Sequence, residues 1–278
     1  MYGYLSESQR LALEKIESGK NIFVTGCAGS GKSYLLHYLK NNAGKKYLQL
    51  TATTGVAAIN IGGLTLHSWA NLGTEDSPME EIVKKIMSPG GINTRRKIQS
   101  TEILAIDEIS MLSMETFENL DFLLREIRGN REPFGGIQMV MFGDFFQLPP
   151  VNSENFCFES KIWKEAGIET VVLREVFRQD DRRFVELLNN IRFGRAKEDD
   201  IRLLKTRFNA KNEGVICPTI LSTHNSDVEK INRRRLDELP YEKKVFQANY
   251  AGKENKIEVL KKNCIAKDVL TLKIGCQV

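Results

Sequence analysis

Long apolar runs are missing from this chain. No uninterrupted apolar stretch approaches the roughly 18–20 residues that a membrane-spanning helix needs, so no membrane partner is expected. The opening "MYGYLSESQR" has neither a basic-then-apolar signal segment nor an Arg/Ser-rich transit composition. The expected setting is soluble and intracellular: the cytoplasm of a bacterium or virus-infected cell, or a nucleus or mitochondrion. Histidine is scarce, and His37, His67 and His224 are too scattered for a histidine-rich metal centre. The five cysteines (Cys27, Cys157, Cys217, Cys264, Cys276) are odd in number and form no C-x-x-C pair. That pattern fits reduced thiols better than a disulfide framework or a zinc site. Repeats and low-complexity tracts are absent as well.

What is present is ordinary for a globular protein: 41% hydrophobic and 27% charged residues. A length of 278 residues suits one large or two ordinary domains. The net charge of +4 hides an asymmetry. Residues 1–194 carry 22 Lys/Arg against 24 Asp/Glu, and residues 195–278 carry 18 against 12. A basic C-terminal part is compatible with a polyanionic partner. Runs such as Arg233-Arg234-Arg235 also read as solvated helix faces.

Short β-type runs alternate with helical patterns. The runs are "NIFVTG" (21–26), "YLQLTA" (47–52), "EILAID" (102–107), "QMVMFGD" (138–144), "TVVLRE" (170–175) and "TILST" (219–223). Helices are predicted over 32–41, 114–128 and 182–193. Near-continuous apolar strands alternating with helices imply an α/β fold with a parallel sheet covered on both faces. Ligands in such folds bind beyond the carboxyl ends of the strands. Residues 73–100, punctuated by Pro and Gly, read as an insertion holding one short amphipathic helix. Residues 194–217 read as a connector, which puts a domain boundary near 195 or a little later.

"GCAGSGKS", Gly26–Ser33, follows the first strand and opens a helix, the context required of a phosphate-binding G-x-x-x-x-G-K-[ST] loop. Its residues Gly26, Ala28, Gly29, Ser30, Gly31, Lys32 and Ser33 are candidate nucleotide ligands. Backbone N–H groups would cradle phosphates. Lys32 would reach the β- and γ-phosphates, and the Ser33 hydroxyl would bind Mg²⁺. "ILAIDEIS" ends its apolar run in Asp107-Glu108. Neighbouring residues on a strand point to opposite sides, so two carboxylates can share a task only where the strand ends. Asp107 would hold Mg²⁺ through its water shell and Glu108 would activate a water; a helix cap is the plainer alternative. In "MVMFGDFFQLPP", Gln147 follows a third strand and is stiffened by Pro149 and Pro150. An amide can bind a water and a phosphate oxygen together, so Gln147 is a candidate γ-phosphate sensor.

With these residues placed, the chain resembles superfamily 1 DNA helicases of the 5′-to-3′ branch, in the petite-integration-frequency family and related to RecD and Dda. "LSESQ" (5–9) resembles the adenine-recognising segment, with Gln9 reading the base. "TATTGVAAINIGGLTLHSWANLG" (51–73) resembles the strand-binding motif, and "IDEISML" and "FGDFFQLPPV" the second and third motifs. "LREVFRQDDRRFVELLNNIRFG" (173–194) resembles the fourth-motif region, and "ILSTHNSDVEKIN" (220–232) the start of a second RecA-like domain. The resemblance implies a P-loop NTPase that hydrolyses Mg-ATP, with Arg178 as an arginine finger. It implies single-stranded and forked duplex DNA as partners of a monomer, contacted by Thr54, Gly55, His67, Ser68, Trp69, His224 and Asn225. Trp69 after "LTL" also reads as a core residue, His67 as a structural histidine, and Arg178 as a partner of Asp180 or Asp181. The insertion coincides with the family's wedge subdomain, and its Arg95-Arg96-Lys97 run faces DNA or solvent.

The family's T-x-H-K-S-Q-G-like motif and its final "ALSR" motif are not found. The expected organisation is a complete RecA-like domain over 1–195 and an incomplete second one over 196–278, with a missing C-terminal region of the same protein as partner. Three readings follow: an ATP-driven helicase, a nucleotide- and DNA-binding module that does not unwind alone, and a small-molecule P-loop kinase. Glu108 and Gln147 are set for water rather than an acceptor hydroxyl, which disfavours the kinase.

Overall fold

The computed structural model describes residues 5–42, 47–73, 78–151, 153, 155–208, 210, 219–252, 254–264 and 266–277. They divide into two compact units, Met1–Lys205 and Thr206–Val278. The second begins inside the predicted connector, of which residues 209 and 211–217 lie outside the described residues.

Unit 1 opens with α1 (Glu7–Glu17), where the Ser6 side chain and Gln9 cap each other reciprocally. Next come β1 (Ile22–Gly26), α2 (Lys32–Asn42), β2 (Leu48–Ala52) and α3 (Gly55–Ile61), the last capped by the Thr54 hydroxyl. A two-residue β3 (Leu64–Thr65) leads into α4 (Leu66–Ala70). The insertion forms two helices, α5 (Met79–Met87) and α6 (Ile92–Ser100), where one was expected. Pro89-Gly90-Gly91 breaks the helical run into a tight turn between them. β4 (Ile103–Asp107), α7 (Met114–Arg128), β5 (Gln138–Gly143), α8 (Lys161–Glu165), β6 (Glu169–Leu173), α9 (Arg182–Arg192) and α10 (Glu198–Lys205) complete the unit.

The six strands form one parallel sheet in the order β3-β2-β4-β5-β1-β6. Each strand serves two cores because successive side chains point to opposite faces. Leu104 and Ile106 of β4 join Met139 and Met141 of β5 against α4 to α7, while Ile103 and Ala105 join Val140 and Phe142 against α1 to α3. Ile82, Ile86 and Ile98 of the insertion are buried in the first of these cores, so α5 and α6 are part of the layer that covers the sheet. Of the Arg95-Arg96-Lys97 run, Arg95 donates to the Met87 carbonyl at 2.9 Å and Lys97 stands 6.0 Å from the Trp69 ring centre.

Unit 2 contains α11 (Asn225–Glu238), β7 (Lys244–Gln247), α12 (Glu254–Asn263) and β8 (Val269–Leu272). β7 and β8 pair antiparallel. The strand predicted over 219–223 does not form. Ile220 and Leu221 are 53% and 91% exposed, and a strand needs a neighbour to take its backbone groups. Among the described residues, no helix is long and apolar enough to cross a membrane.

Candidate functional site

The parallel register brings the carboxyl ends of the strands to one edge. Gly26 at the end of β1 pairs with Leu173, Thr25 with Gly143, and Asp107 at the end of β4 with Ala52. The loop leaving β1 turns through Gly29 and Gly31 at φ values of 82° and 86°, which L side chains rarely adopt. A Cβ on Gly29 would lie 2.5 Å from the Arg178 Cβ, and one on Gly31 would strike the Gln9 amide. Glycine here thus does two things: it permits the curl and admits two neighbours.

Those neighbours are residues the sequence had placed far apart. Phe177 N–H donates to the Gly29 carbonyl at 2.9 Å, which lays the segment carrying Arg178 on the loop. Gln9, 1% exposed, donates from Nε2 to the Gly31 carbonyl at 3.3 Å and accepts from Ser6 N–H at 3.0 Å. Its amide therefore braces the loop. The Lys32 ammonium opens α2 and donates to the Gly26 and Cys27 carbonyls at 2.7 and 3.1 Å. Burial lowers its pKa against the pull of Asp144 and Glu108.

β4 delivers Asp107 and Glu108 by a specific device. Glu108 has φ 54°, the left-handed region, and a tight turn over Ile109–Met111 follows. Such a conformation is costly for a non-glycine residue and concentrates at functional sites. Thr53 holds it by donating its hydroxyl to the Glu108 carbonyl at 2.9 Å and its N–H to the Asp107 carbonyl at 3.2 Å. The Asp107 carboxylate accepts Glu108 N–H at 3.0 Å. Burial raises both acids above the ordinary carboxylate range; Glu108 is raised further by Asp107, and Lys32 opposes both shifts.

Past β5, Asp144 closes a turn. Its Oδ1 accepts Phe146 N–H at 3.2 Å, its carbonyl accepts Gln147 N–H at 2.8 Å, and its Oδ2 accepts the Gln147 side-chain amide at 3.3 Å. Arg192, at the end of α9, takes both carboxylate oxygens at 2.7 Å each. Burial pushes the Asp144 pKa up, and the hydrogen bonds and charge of Arg192 outweigh it, so the carboxyl is held below its ordinary value.

Lys32, Asp107, Glu108, Gln147 and Arg178 thus gather around one loop. Ser33, in the first turn of α2, is exposed. Thr54, Gly55, His67 and Ser68 lie beyond the carboxyl ends of β2 and β3 on the same sheet edge, the last three exposed. Thr65 accepts Ser68 N–H at 3.2 Å and so caps α4. Trp69 is a correction. It is 0% exposed inside the core with Leu66, Ala70, Ile82, Ile86 and Ile98, so its ring has no face to offer DNA. A five-residue helix alternates its faces quickly, and α4 turns Trp69 inward while His67 and Ser68 face out. His224 and Asn225 belong to unit 2, where His224 bonds Thr223 at 2.9 Å and Asn225 starts α11.

Three residues escaped the sequence reading. Asp144 was detectable as a second acid ending an apolar strand. Phe177, 61% exposed, comes within 3.4 Å of a Cβ built on Gly31 and offers a ring face next to Gln9. Arg192 carried no signal, because its partner lies 48 residues away.

A family model described as PIF1-like helicase matches residues 4–202. The chain is 40% identical to the ATP-dependent DNA helicase PIF1 of Xenopus laevis over 99% of its own length and 43% of that protein's. It therefore spans less than half of that relative. The crystal structure of Pif1 helicase from Candida albicans superposes with a TM-score of 0.89 at 37% identity, covering 98% of this chain and 64% of that one. Pif1 helicase from Bacteroides, crystallised with ADP-AlF3 and ssDNA, superposes with a TM-score of 0.77 at 31% identity over the same shares. With its strand ends, phosphate loop and third-motif turn arranged as described, this chain belongs to the PIF1-like helicase family.

Proposed function

We propose that this chain carries the ATP-hydrolysing centre of a DNA helicase, in which Mg-ATP hydrolysis drives movement along single-stranded DNA and opening of a forked duplex, 5′ to 3′. The observation that carries this reading is the gathering of Lys32, Asp107, Glu108, Gln147 and Arg178 around one glycine-hinged loop. The loop fits a polyphosphate. Among the described residues the Ser30 hydroxyl, 1% exposed, has no hydrogen-bond partner, and the Lys32 ammonium donates to loop carbonyls that it can exchange for phosphate oxygens. Among the described residues no three His, Cys, Asp or Glu side chains cluster as a metal site. Ser33 and Asp107 would be the protein partners of a Mg²⁺ ion carried mainly by phosphates. Such an ion, when bound, neutralises charge on the phosphates.

The residues of the chain divide the remaining work. Glu108, with its raised pKa, is the base for the attacking water. Gln147 orients that water and senses the γ-phosphate, and Arg178 adds a fixed cation. Phe177 gives the adenine a ring to stack on, and Gln9, which also braces the loop, reads the base. DNA runs along the sheet edge marked by Thr54, Gly55, His67 and Ser68, as hydroxyls, an imidazole and backbone suit phosphates. In unit 2, His224 and Asn225 are DNA contacts in their own right. The ATP-binding domain is taken as 1–195 and the start of a second RecA-like domain as 196–278.

The test is steady-state ATP hydrolysis by the 278-residue chain, with and without single-stranded DNA, against Lys32→Ala. Hydrolysis that DNA stimulates and Lys32→Ala abolishes supports the reading. Equal turnover in wild type and Lys32→Ala refutes the site. Nucleotide binding without turnover assigns this stretch a binding role that needs the remainder of its relatives' length.

A further inference from the structure

The Asp144–Arg192 pair does more than join a helix to a strand. Asp144 is 1% exposed, and its Oδ2 is shared by two donors, Arg192 Nε at 2.7 Å and the Gln147 amide at 3.3 Å. The same guanidinium stands 4.8 Å over the Phe146 ring and 4.7 Å over the Phe193 ring, and those rings meet edge-on at 4.9 Å. One side chain therefore grips the acid of the 144–147 turn and covers its aromatic residue.

Following the chain upstream from Arg192 leads back to the phosphate loop. α9 begins at Arg182, capped by Asp181, three residues after Arg178, and Phe177 is bonded to Gly29. Phosphate loop, Arg178 segment, α9, Arg192, Asp144 and Gln147 thus form a closed ring. It borders a half-open pocket of about 340 Å³, lined among others by Cys27, Gln147, Gln179, Val185 and Leu188. Arg178 precedes α9 by four residues and Gln147 is joined through Asp144 to Arg192 in its last turn, so the ion pair at Arg192 closes the circuit.

Geometry explains why the closing group is an arginine. The guanidinium holds the buried carboxylate in place, and the Gln147 amide donates to that same carboxylate, so Gln147 is oriented by an acid that Arg192 has fixed. A bidentate fork occupies both of its oxygens in fixed geometry, which an ammonium cannot do.

We propose that Arg192 is a positioning residue for γ-phosphate recognition: by fixing both oxygens of Asp144 it fixes the carboxylate that orients the Gln147 amide, and through α9 it ties that turn to the segment carrying Arg178. This rests on the nucleotide reading of the site given above.

The test is binding of ATP and of ADP, measured separately by isothermal titration for wild type, Arg192→Lys, Gln147→Ala and the double variant. Arg192→Lys keeps the charge and loses the fork. It is expected to leave ADP affinity within about twofold, which also reports a folded site. Its preference for ATP over ADP should fall about tenfold, the worth of one hydrogen bond to a charged group. The double variant should lose no more than Gln147→Ala alone, since residues acting as one unit are non-additive. A purely structural pair would lower both affinities together, or neither, and would add to Gln147→Ala; either result overturns the proposal. Should wild type bind neither nucleotide, the nucleotide reading falls and takes this inference with it. Should wild type and Arg192→Lys discriminate equally while Gln147→Ala does not, this inference alone falls.

Discussion

Replacing Trp69 by leucine separates a core residue from a base-stacking one. The indole is 0% exposed and packs among Leu66, Ile82, Ile86 and Ile98, yet its Nε1 has no hydrogen-bond partner among the described residues. A buried aromatic hides about 150–250 Å², worth about 4–6 kcal/mol at about 25 cal/mol per Å² as an upper value. Truncation to alanine costs about 3–5 kcal/mol in measured cores. Leucine refills part of that volume, leaving a loss of about 2 kcal/mol. Against this, deleting a buried unpaired N–H returns about 1–3 kcal/mol. The two terms nearly cancel, so unit 1 should melt within about 4 °C of wild type, since 1 kcal/mol moves a domain of this size by about 2–4 °C. Trp69→Ala has no refilling and should melt roughly 6–20 °C lower on the same scale. The decisive assay is anisotropy of labelled single-stranded DNA at a temperature where all three proteins are folded. A base stacked on Trp69 would be worth about 1–3 kcal/mol, a loss of at least fivefold in the leucine variant. Unchanged affinity is expected; a fivefold loss with the melting temperature intact would return Trp69 to the DNA interface and show that the core assignment is wrong.

Other expectations concern the acids and the sensor. Glu108→Gln should bind nucleotide and abolish turnover, checked by titration beside phosphate release. Gln147→Ala should weaken the response of hydrolysis to DNA more than it weakens nucleotide affinity, read as the ratio of turnover with and without DNA. The raised pKa values of Asp107 and Glu108 mean that the folded chain holds protons the unfolded chain has released. Between the ordinary carboxylate value and the raised one, stability without nucleotide should therefore fall as pH rises. Glu108→Gln should flatten that slope in melting-temperature profiles. Asp144 has the opposite sign: its stabilisation, present above the ordinary carboxylate value, is lost as pH falls through its lowered one, a window that Asp144→Asn should erase.

The parts of the site legible in the sequence are those that are contiguous. Gly26–Ser33 carries its chemistry in eight consecutive residues, and β4 announces Asp107-Glu108 by four apolar residues before them. The fold was legible for the same reason, as strands buried on both faces appear as uninterrupted apolar runs. Failures came where a partner was needed. "TILST" has strand composition but finds no neighbour among the described residues of unit 2. Trp69 sits in a motif of polar contacts, and only the packing of α4 on α6 reveals which way it faces. Arg192 looks like any arginine ending an amphipathic helix until Asp144 is folded against it.

Glu108 has one more consequence, for how such a protein can change. Its left-handed backbone costs about 1–2 kcal/mol in a residue with a Cβ, a strain that glycine at the same place does not bear. Every lineage of this chain therefore has a mutation within reach that makes the fold sturdier and the site inert. Selection for robustness alone, as in a directed-evolution screen that scores expression or heat resistance, would drift toward glycine at position 108. A glutamate retained there under such a screen would mark a chain whose turnover was still being tested by its host.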